Sequence, residues 1–322
     1  MKNNLIVGAG QLGSRHLQGL LKYNKPQNIF VIDPSVESLR IAQQRSGEVE
    51  HMHKVYFVSN WDKLPNNIDI AIIATNAGVR ESVVTKLLED HAVKFLILEK
   101  VLFQKQKSYD EVRAMLLDKG VATWVNHPRR MMRHFQQIKQ EIQSVGTSIT
   151  LHTYGMNWGL ACNGIHFIDL VSYLSGSSVD TLDAVWVENE VLDSKRSGHI
   201  EFVGTIKGTL ENGSLFTITS DRGTPGILTT SISADKYRWI VTEGAGNEVV
   251  SFNHENKAVV SEYTVEYQST LTTRLAEQLF KKGTCDLPTY EEAYQAHVPY
   301  LEVLLEKYQQ LSGQLTDTCP IT

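Results

Sequence analysis

Short apolar runs alternate with segments of helical periodicity through the first 125 positions. The runs at 5–7, 29–32, 55–58, 68–74, 95–98 and 122–125 read as strands, and the segments at 13–23, 36–45, 80–89 and 108–119 carry apolar residues at helical spacing. This is the rhythm of βαβ units, which build a parallel, doubly wound sheet. Ile68-Asp69-Ile70-Ala71-Ile72-Ile73-Ala74 is nearly all apolar, as a strand covered on both faces must be. From about 148 the texture changes. Helical segments at 129–144 and 164–174 flank a strand at 148–154, and after Asp180 alternating strands follow at 180–187, 203–210, 215–220, 228–233, 237–242 and 247–252. Glu211-Asn212-Gly213-Ser214 is a hairpin signal between two of these strands, so the second sheet is expected to be open and mostly antiparallel, with helices on one face. A long helical pattern at 290–311 closes the chain. The fold class is therefore α/β, with a first domain over 1–125 and a second, α+β domain over 126–322. The pattern leaves open whether the closing helix packs back on the first domain.

Between the first strand and the first helix stands Gly8-Ala9-Gly10-Gln11-Leu12-Gly13. Gly8 allows the tight turn, Gly10 lets a pyrophosphate approach the backbone, and Gly13 allows close helix–strand packing. The helix start at Gln11 and Leu12 offers free N–H groups to phosphates. Asp33 closes the second apolar run at the offset where an acidic side chain hydrogen-bonds ribose hydroxyls. Together these features predict a dinucleotide. A carboxylate at that strand end would repel the 2′-phosphate of NADP(H), so NAD(H) is favoured, with Arg40 near enough in sequence to leave dual use open. The plainer reading of Asp33-Pro34-Ser35 is a turn that starts the next helix.

The 322 residues are comfortable for two domains. A net charge of −5 without a basic block argues against nucleic acid as a partner. Met1-Lys2-Asn3-Asn4 runs straight into a strand, with no signal-type apolar region and no long uncharged span, so no membrane association is expected and the chain reads as cytoplasmic. Cys162, Cys285 and Cys319 are too scattered for a disulfide framework or a zinc knuckle, and His51 and His53 are too isolated for a metal site. An open sheet would expose side chains that association can bury, so a homodimer or homotetramer is expected.

The fifth strand ends in Glu99-Lys100, a charged pair at the strand end where a doubly wound sheet binds its ligand. With the glycine turn continuing into Ser14-Arg15-His16-Leu17, the Ala74-Thr75 strand end, Gly164-Ile165-His166-Phe167-Ile168-Asp169-Leu170, and Leu287-Pro288-Thr289 before a helix carrying Ala293 and His297, the chain resembles the Gfo/Idh/MocA oxidoreductases, named for glucose–fructose oxidoreductase and inositol dehydrogenase. The resemblance spans essentially the whole chain. It implies an N-terminal Rossmann domain, a C-terminal domain for substrate binding and oligomer contacts, and hydride transfer at a sugar-like carbinol. It also implies that Lys100 hydrogen-bonds the reacting oxygen and that His166 serves as acid or base, while Thr75, Asn76 and Glu99 join the cofactor side. The chemistry suits those residue types: oxidising an alcohol removes a hydroxyl proton as hydride leaves, and imidazole titrates near neutral pH.

Two positions depart from the family pattern. Val101 stands where proline commonly follows the Glu-Lys pair, and Cys162 stands four residues before His166, where many members carry an aspartate. Asp169 reads mainly as helix packing. In Asn126-His127-Pro128-Arg129-Arg130, Arg129 or Arg130 could hold a phosphate or carboxylate, against the reading of a solvated first helical turn. Tyr154, Asn157 and Trp158 could offer a sugar hydrogen bonds and a stacking face, with Cys162 shaping the pocket; loop polarity accounts for them as well. The expected activity is interconversion of a secondary alcohol and a ketone on a sugar, cyclitol, sugar phosphate or nucleotide sugar. The competing class is a non-catalytic sensor that binds dinucleotide and sugar.

Overall fold

The computed structural model describes residues 1–146, 148–244 and 246–322. They form two compact units: Met1–Phe103, Lys107–Pro128 and Glu266–Glu291 make the first, and Gln104–Gln106, Arg129–Val265 and Glu292–Thr322 the second.

In the first unit, β1 (Lys2–Val7), β2 (Gln27–Ile32), β3 (Lys54–Val58), β4 (Asn67–Ile73), β5 (Ala92–Leu98) and β6 (Ala122–Val125) form one six-stranded sheet. Its order is β3-β2-β1-β4-β5-β6 and every pairing is parallel. Helices α1 (Gln11–Leu21), α2 (Val36–Ser46), α3 (Ala77–Asp90) and α4 (Gln106–Lys119) make the crossovers. The doubly wound sheet read from the sequence is present. Its central strands are apolar on both faces because both are covered: Leu5, Ile6, Ile29, Val31, Ala71, Ile72, Leu96 and Ile97 have no exposed surface. Each such Leu, Ile or Val contributes about 1.5–3 kcal/mol through burial. Ser35 starts α2 by accepting a hydrogen bond from the Ser38 amide at 3.2 Å, so the turn after Asp33 is also a helix start.

In the second unit, α5 (Arg133–Val145), β7 (Thr150–Met156), α6 (Leu160–Asn163) and α7 (Ile165–Ser175) precede the strand-rich region. That region holds β8 (Val179–Val187), the two-residue pair β9 (Leu192–Asp193) and β10 (Ile200–Glu201), β11 (Gly204–Leu210), β12 (Leu215–Asp221), β13 (Leu228–Ala234), β14 (Tyr237–Glu243), β15 (Glu248–Phe252) and β16 (Ala258–Glu262). The eight-stranded sheet runs β16-β15-β14-β13-β7-β12-β11-β8, antiparallel except where β12 meets β7. The β11–β12 hairpin turns at Asn212-Gly213. Period-two alternation divides its faces. Leu151, Thr153, Phe216, Ile218, Ile232 and Trp239 are buried, and the Trp239 indole donates to Glu141 of α5 at 2.7 Å. His152, Tyr154, Met156 and Leu215 lie on the opposite, exposed face.

The last two helices are α8 (Gln268–Lys282) and α9 (Tyr290–Ser312). The segment that rejoins the first unit is Glu266–Glu291, which carries α8, whereas α9 from Glu292 onward belongs to the second unit. Sequence periodicity passed over α8 because threonines and glutamines interrupt its apolar stripe. It packs on α1 through a side chain that is missing: a Cβ at Gly19 would stand 2.5 Å from the Thr272 Cβ, and Thr273 Oγ1 donates to the Gly19 carbonyl at 2.7 Å. Among the described residues no helix is long and apolar enough to cross a membrane.

Gly19→Ala sets two effects against each other. Alanine gains about 1 kcal/mol of helix propensity. The contact with a rigid Cβ forces the helices apart, which costs about 1–3 kcal/mol and outweighs a gain at the lower end of its effect. We expect a net loss of stability in urea unfolding; a variant as stable as wild type would show that α1 and α8 do not approach this closely.

Candidate functional site

The carboxyl ends of the four central strands of the first sheet are level, tied by backbone bonds just past each strand. Gly8 N donates to Ile32 O at 2.9 Å, Ala74 N to Val7 O at 2.8 Å and Glu99 N to Ile73 O at 3.1 Å. This places the glycine turn, Asp33, Thr75-Asn76 and Glu99-Lys100 side by side on one edge. Gly8 has φ +95°, which other residues rarely adopt. A Cβ at Gly13 would stand 1.8 Å from the Gly8 carbonyl oxygen, so α1 rests directly on the turn. Gly10 is different. Its φ is −63°, open to any residue, and nothing lies within 4 Å of where its Cβ would be. It is the N-cap of α1 and supplies no capping side chain, which leaves the helix start open for an anion. Asp33 Oδ2 accepts from Ala9 N at 2.7 Å and Oδ1 from Ser35 N at 2.8 Å, so its carboxylate is fixed against the turn and also serves the helix start that the plainer reading gave it. Among the described residues, Thr75 Oγ1 is buried without a hydrogen-bond partner. These residues fit a dinucleotide.

Glu99, expected on the cofactor side, is instead turned inward and only 3% exposed. Its Oε1 accepts from Asn126 Nδ2 at 2.6 Å and lies 2.8 Å from His16 Nε2, while His16 Nδ1 meets Thr272 Oγ1 at 2.9 Å. Burial alone pushes the Glu99 carboxyl up; the hydrogen bond and charge of His16, with Asn126, outweigh it and hold the group below its ordinary value. Glu99 thus anchors the end of β5, and its neighbour Lys100 is the partly exposed member of the pair.

In the second unit, Cys162 lies on α6 and the partly exposed His166 on the first turn of α7. Glu201, at the end of β10, accepts from Ala161 N at 2.8 Å and Cys162 N at 3.1 Å. A carboxylate therefore reaches position 162 from a neighbouring strand. Burial pushes the Glu201 carboxyl up, with its bonds to Cys162 and Ala161 opposing. Tyr300 Oη donates to the Ala161 carbonyl at 3.1 Å and to that of Leu160, and Gly164 leaves room for its ring.

The candidate substrate residues separate. Arg130 is buried and bonded to both Asp169 oxygens at 3.0 Å and to Glu292 at 3.0 Å, which makes it and Asp169 packing residues rather than ligand contacts. Arg129 pairs with Glu243 at 2.9 Å and lies 4.2 Å from the Phe167 ring centroid, next in sequence to His166. Tyr154 is 46% exposed on the open face of the sheet, opposite the buried face, because strand alternation turns it away; this corrects its grouping with Cys162 and His166. Asn157 is a turn residue with φ +46° whose amide donates to the Gly223 carbonyl. Trp158 donates to Thr219 O at 2.8 Å. Among the described residues no group of three His, Cys, Asp or Glu side chains could hold a metal.

Residues 2–127 match the family GFO_IDH_MocA, "Oxidoreductase family, NAD-binding Rossmann fold". That stretch, the sheet of the first unit included, is similar to the NAD-binding Rossmann domain of the Gfo/Idh/MocA oxidoreductases. No curated protein matches the chain in sequence. Its fold is similar to UDP-N-acetylglucosamine 3-dehydrogenase GnnA from Acidithiobacillus ferrooxidans, at 14% identity and TM-score 0.71, covering 94% of this chain and 96% of that one. It is also similar to an oxidoreductase from Agrobacterium radiobacter in complex with NAD+, L-tartaric acid and magnesium, at 13% identity and TM-score 0.70, covering 97% of each chain. A third likeness, at 17% identity and TM-score 0.72 over 96% of each chain, is to the super-repressor mutant of Gal80p from Saccharomyces cerevisiae.

Within the matched stretch stands Glu99-Lys100, with a cis peptide joining Lys100 to Val101. Lys100 belongs to the first unit and His166 to the second. Residues that sequence reasoning missed are Glu201, Tyr300, Thr272 and, as partners of Glu99, His16 and Asn126. The last two stood inside quoted motifs, but no spacing rule joins positions 16, 99 and 126.

Glu99 yields a pH test. Its folded pKa is depressed, so its charge contributes stability that is complete above the ordinary carboxylate value of 4.5 and is lost as pH falls through the lower folded value. Glu99→Gln should destabilise by about 2–4 kcal/mol at neutral pH, since it leaves His16 and Asn126 without the charge they face. The gap from wild type should close on acidification below that range. Urea unfolding across pH measures it, and a gap that stays constant would contradict a charged Glu99.

Proposed function

We propose that this chain is an NAD(H)-dependent oxidoreductase that interconverts a secondary alcohol and a ketone on a sugar, cyclitol, sugar phosphate or nucleotide sugar. The observation that carries the reading is the glycine cradle level with Glu99-Lys100 on one strand edge. Backbone N–H groups from Gly10 to Gly13, including those of Gln11 and Leu12, would hold the pyrophosphate, Asp33 the ribose hydroxyls, and Thr75 and Asn76 would line the cofactor beyond the turn. When bound, the cofactor supplies the hydride donor or acceptor. NAD(H) is preferred over NADP(H) because Asp33 presents a negative charge at the ribose, and Arg40 is engaged by Glu37 at 2.8 Å. Lys100 orients the reacting oxygen and stabilises the negative charge that develops on it, with Glu99 fixing the strand end behind it. His166 takes the hydroxyl proton in oxidation and returns it in reduction. Arg129 is retained as a substrate-side cation beside the His166 turn; Asn157 and Cys162 shape its surroundings.

The likeness to a UDP-N-acetylglucosamine 3-dehydrogenase supports a sugar-type substrate. The exposed sheet face with Tyr154, Leu215 and Trp186 supports a homodimer or homotetramer. A regulatory reading draws on the likeness to the Gal80p super-repressor and on the thiol at position 162. A nicotinamide absorbance screen against free, phosphorylated and nucleotide-linked sugars, run in both directions with NAD(H) and NADP(H), separates the two. Turnover supports the enzyme; tight NADH binding without turnover of any sugar supports the regulator.

Lys100→Met should lower kcat by about 100-fold or more, as expected when a group acting in the transition state is removed, and leave the NADH Kd nearly unchanged. Steady-state kinetics with a fluorescence titration checks both. Near-full turnover would remove Lys100 from the chemistry.

A further inference from the structure

The first turn of α1 is positive with nothing on its own helix to balance it. Gly10 gives no side-chain cap, the turn holds no acidic residue, and its N–H groups point outward. Against this same turn α2 lays Arg45. Its Nη2 donates to Gln11 Oε1 at 2.6 Å, and its Nη1 to the Ser14 hydroxyl at 2.5 Å and the Gln11 carbonyl at 3.2 Å. Among the described residues Arg45 makes no ion pair. Glu48, three residues on, is taken by Gln18 at 2.8 Å, and both Asp33 oxygens are held by backbone amides. Arg45 stands in the last turn of α2, where a cation is favourable, and its guanidinium reaches the N-terminus of α1, where an anion is favoured. The Arg45 guanidinium, the open helix start and the space above Gly10 together leave room for an anion at one place.

We propose that Arg45 is a positioning residue for the dinucleotide diphosphate: it fixes the Gln11 amide at the helix start and adds a full positive charge to the field the phosphates enter. The idea rests on the dinucleotide reading of the glycine turn and is independent of the sugar substrate. Arg45 lies on the far side of α2 from Asp33, twelve residues later in the chain, so no sequence rule for cofactor binding singles it out.

The test is titration of the full-length protein with NADH by fluorescence, using wild type, Arg45→Gln and Arg45→Lys, with ADP-ribose and adenosine as competitors. Arg45→Gln should weaken NADH and ADP-ribose about tenfold at low salt, as expected when one nearby positive charge is removed from the field at the diphosphate. The gap should narrow to about threefold at high salt, where the field is screened. Adenosine, which has no phosphate, should bind both proteins equally, and Arg45→Lys should recover most of the affinity. An Arg45→Gln protein that binds NADH within about twofold of wild type overturns the proposal. So does an equal loss for adenosine, which would mean a structural defect, or a larger loss for NADPH than for NADH, which would move the contact to the 2′-phosphate. Wild-type protein that binds neither NADH nor ADP-ribose overturns the dinucleotide reading with it. NADH binding without sugar turnover leaves Arg45 in place and removes only the proposed activity.

Discussion

One contact sets the rest of the first unit: the approach of Gly13 to the Gly8 carbonyl, where a Cβ would stand 1.8 Å from the oxygen. Only two glycines let α1 sit this low over the end of β1. With the helix there, its side chains reach fixed partners. His16 falls on Glu99 and Thr272, Gly19 lies against α8, and the Gln11–Ser14 turn receives Arg45. The same helix therefore aims its start at the strand ends, braces the Glu-Lys strand end and docks the returning helix. An ordinary side chain at position 13 would lift α1 and loosen all three together, which is why the glycine turn is structural as well as functional.

Much of this was legible in the chain. The parallel sheet announced itself through apolar runs such as Ile70–Ile73, because a strand covered on both faces cannot carry polar residues. The hairpin at Asn212-Gly213 was readable from its turn chemistry. What could not be read depends on contacts between distant positions. Glu99 looked like a ligand contact because strand ends carry ligand residues, yet a histidine 83 positions earlier turns it inward. Arg130 looked available until Asp169 and Glu292 met it from two other helices. Tyr154 shows a different limit: its polarity suited a sugar, but period two put it on the open face. α8 was missed because threonines and glutamines interrupt its apolar stripe, and its fit on α1 depends on an absent side chain at Gly19.

In the second unit the thiol at position 162 has a structural counterpart. α6 is held at its start by the Glu201 carboxylate and at its end by the Tyr300 hydroxyl, with Gly159 and Gly164 leaving room for these two side chains. Tyr300 meets the Ala161 carbonyl and that of Leu160, which also accepts from Gly164 N at 2.8 Å. The carboxyl group near Cys162 thus comes from β10 rather than from the helix itself.

The central claim is that the glycine turn is a cradle for a dinucleotide, and Gly10 tests it most directly. Its backbone is permitted to any residue and its Cβ position is empty, so folding gives only the modest N-cap preference as a reason for a glycine there. Gly10→Ala should keep its unfolding free energy within about 1 kcal/mol of wild type, the size of a cap preference. Its affinity for NADH, measured by fluorescence titration, should fall at least about thirtyfold, since the added methyl occupies the space of the pyrophosphate. An alanine variant that folds normally and binds NADH as tightly as wild type would contradict the account.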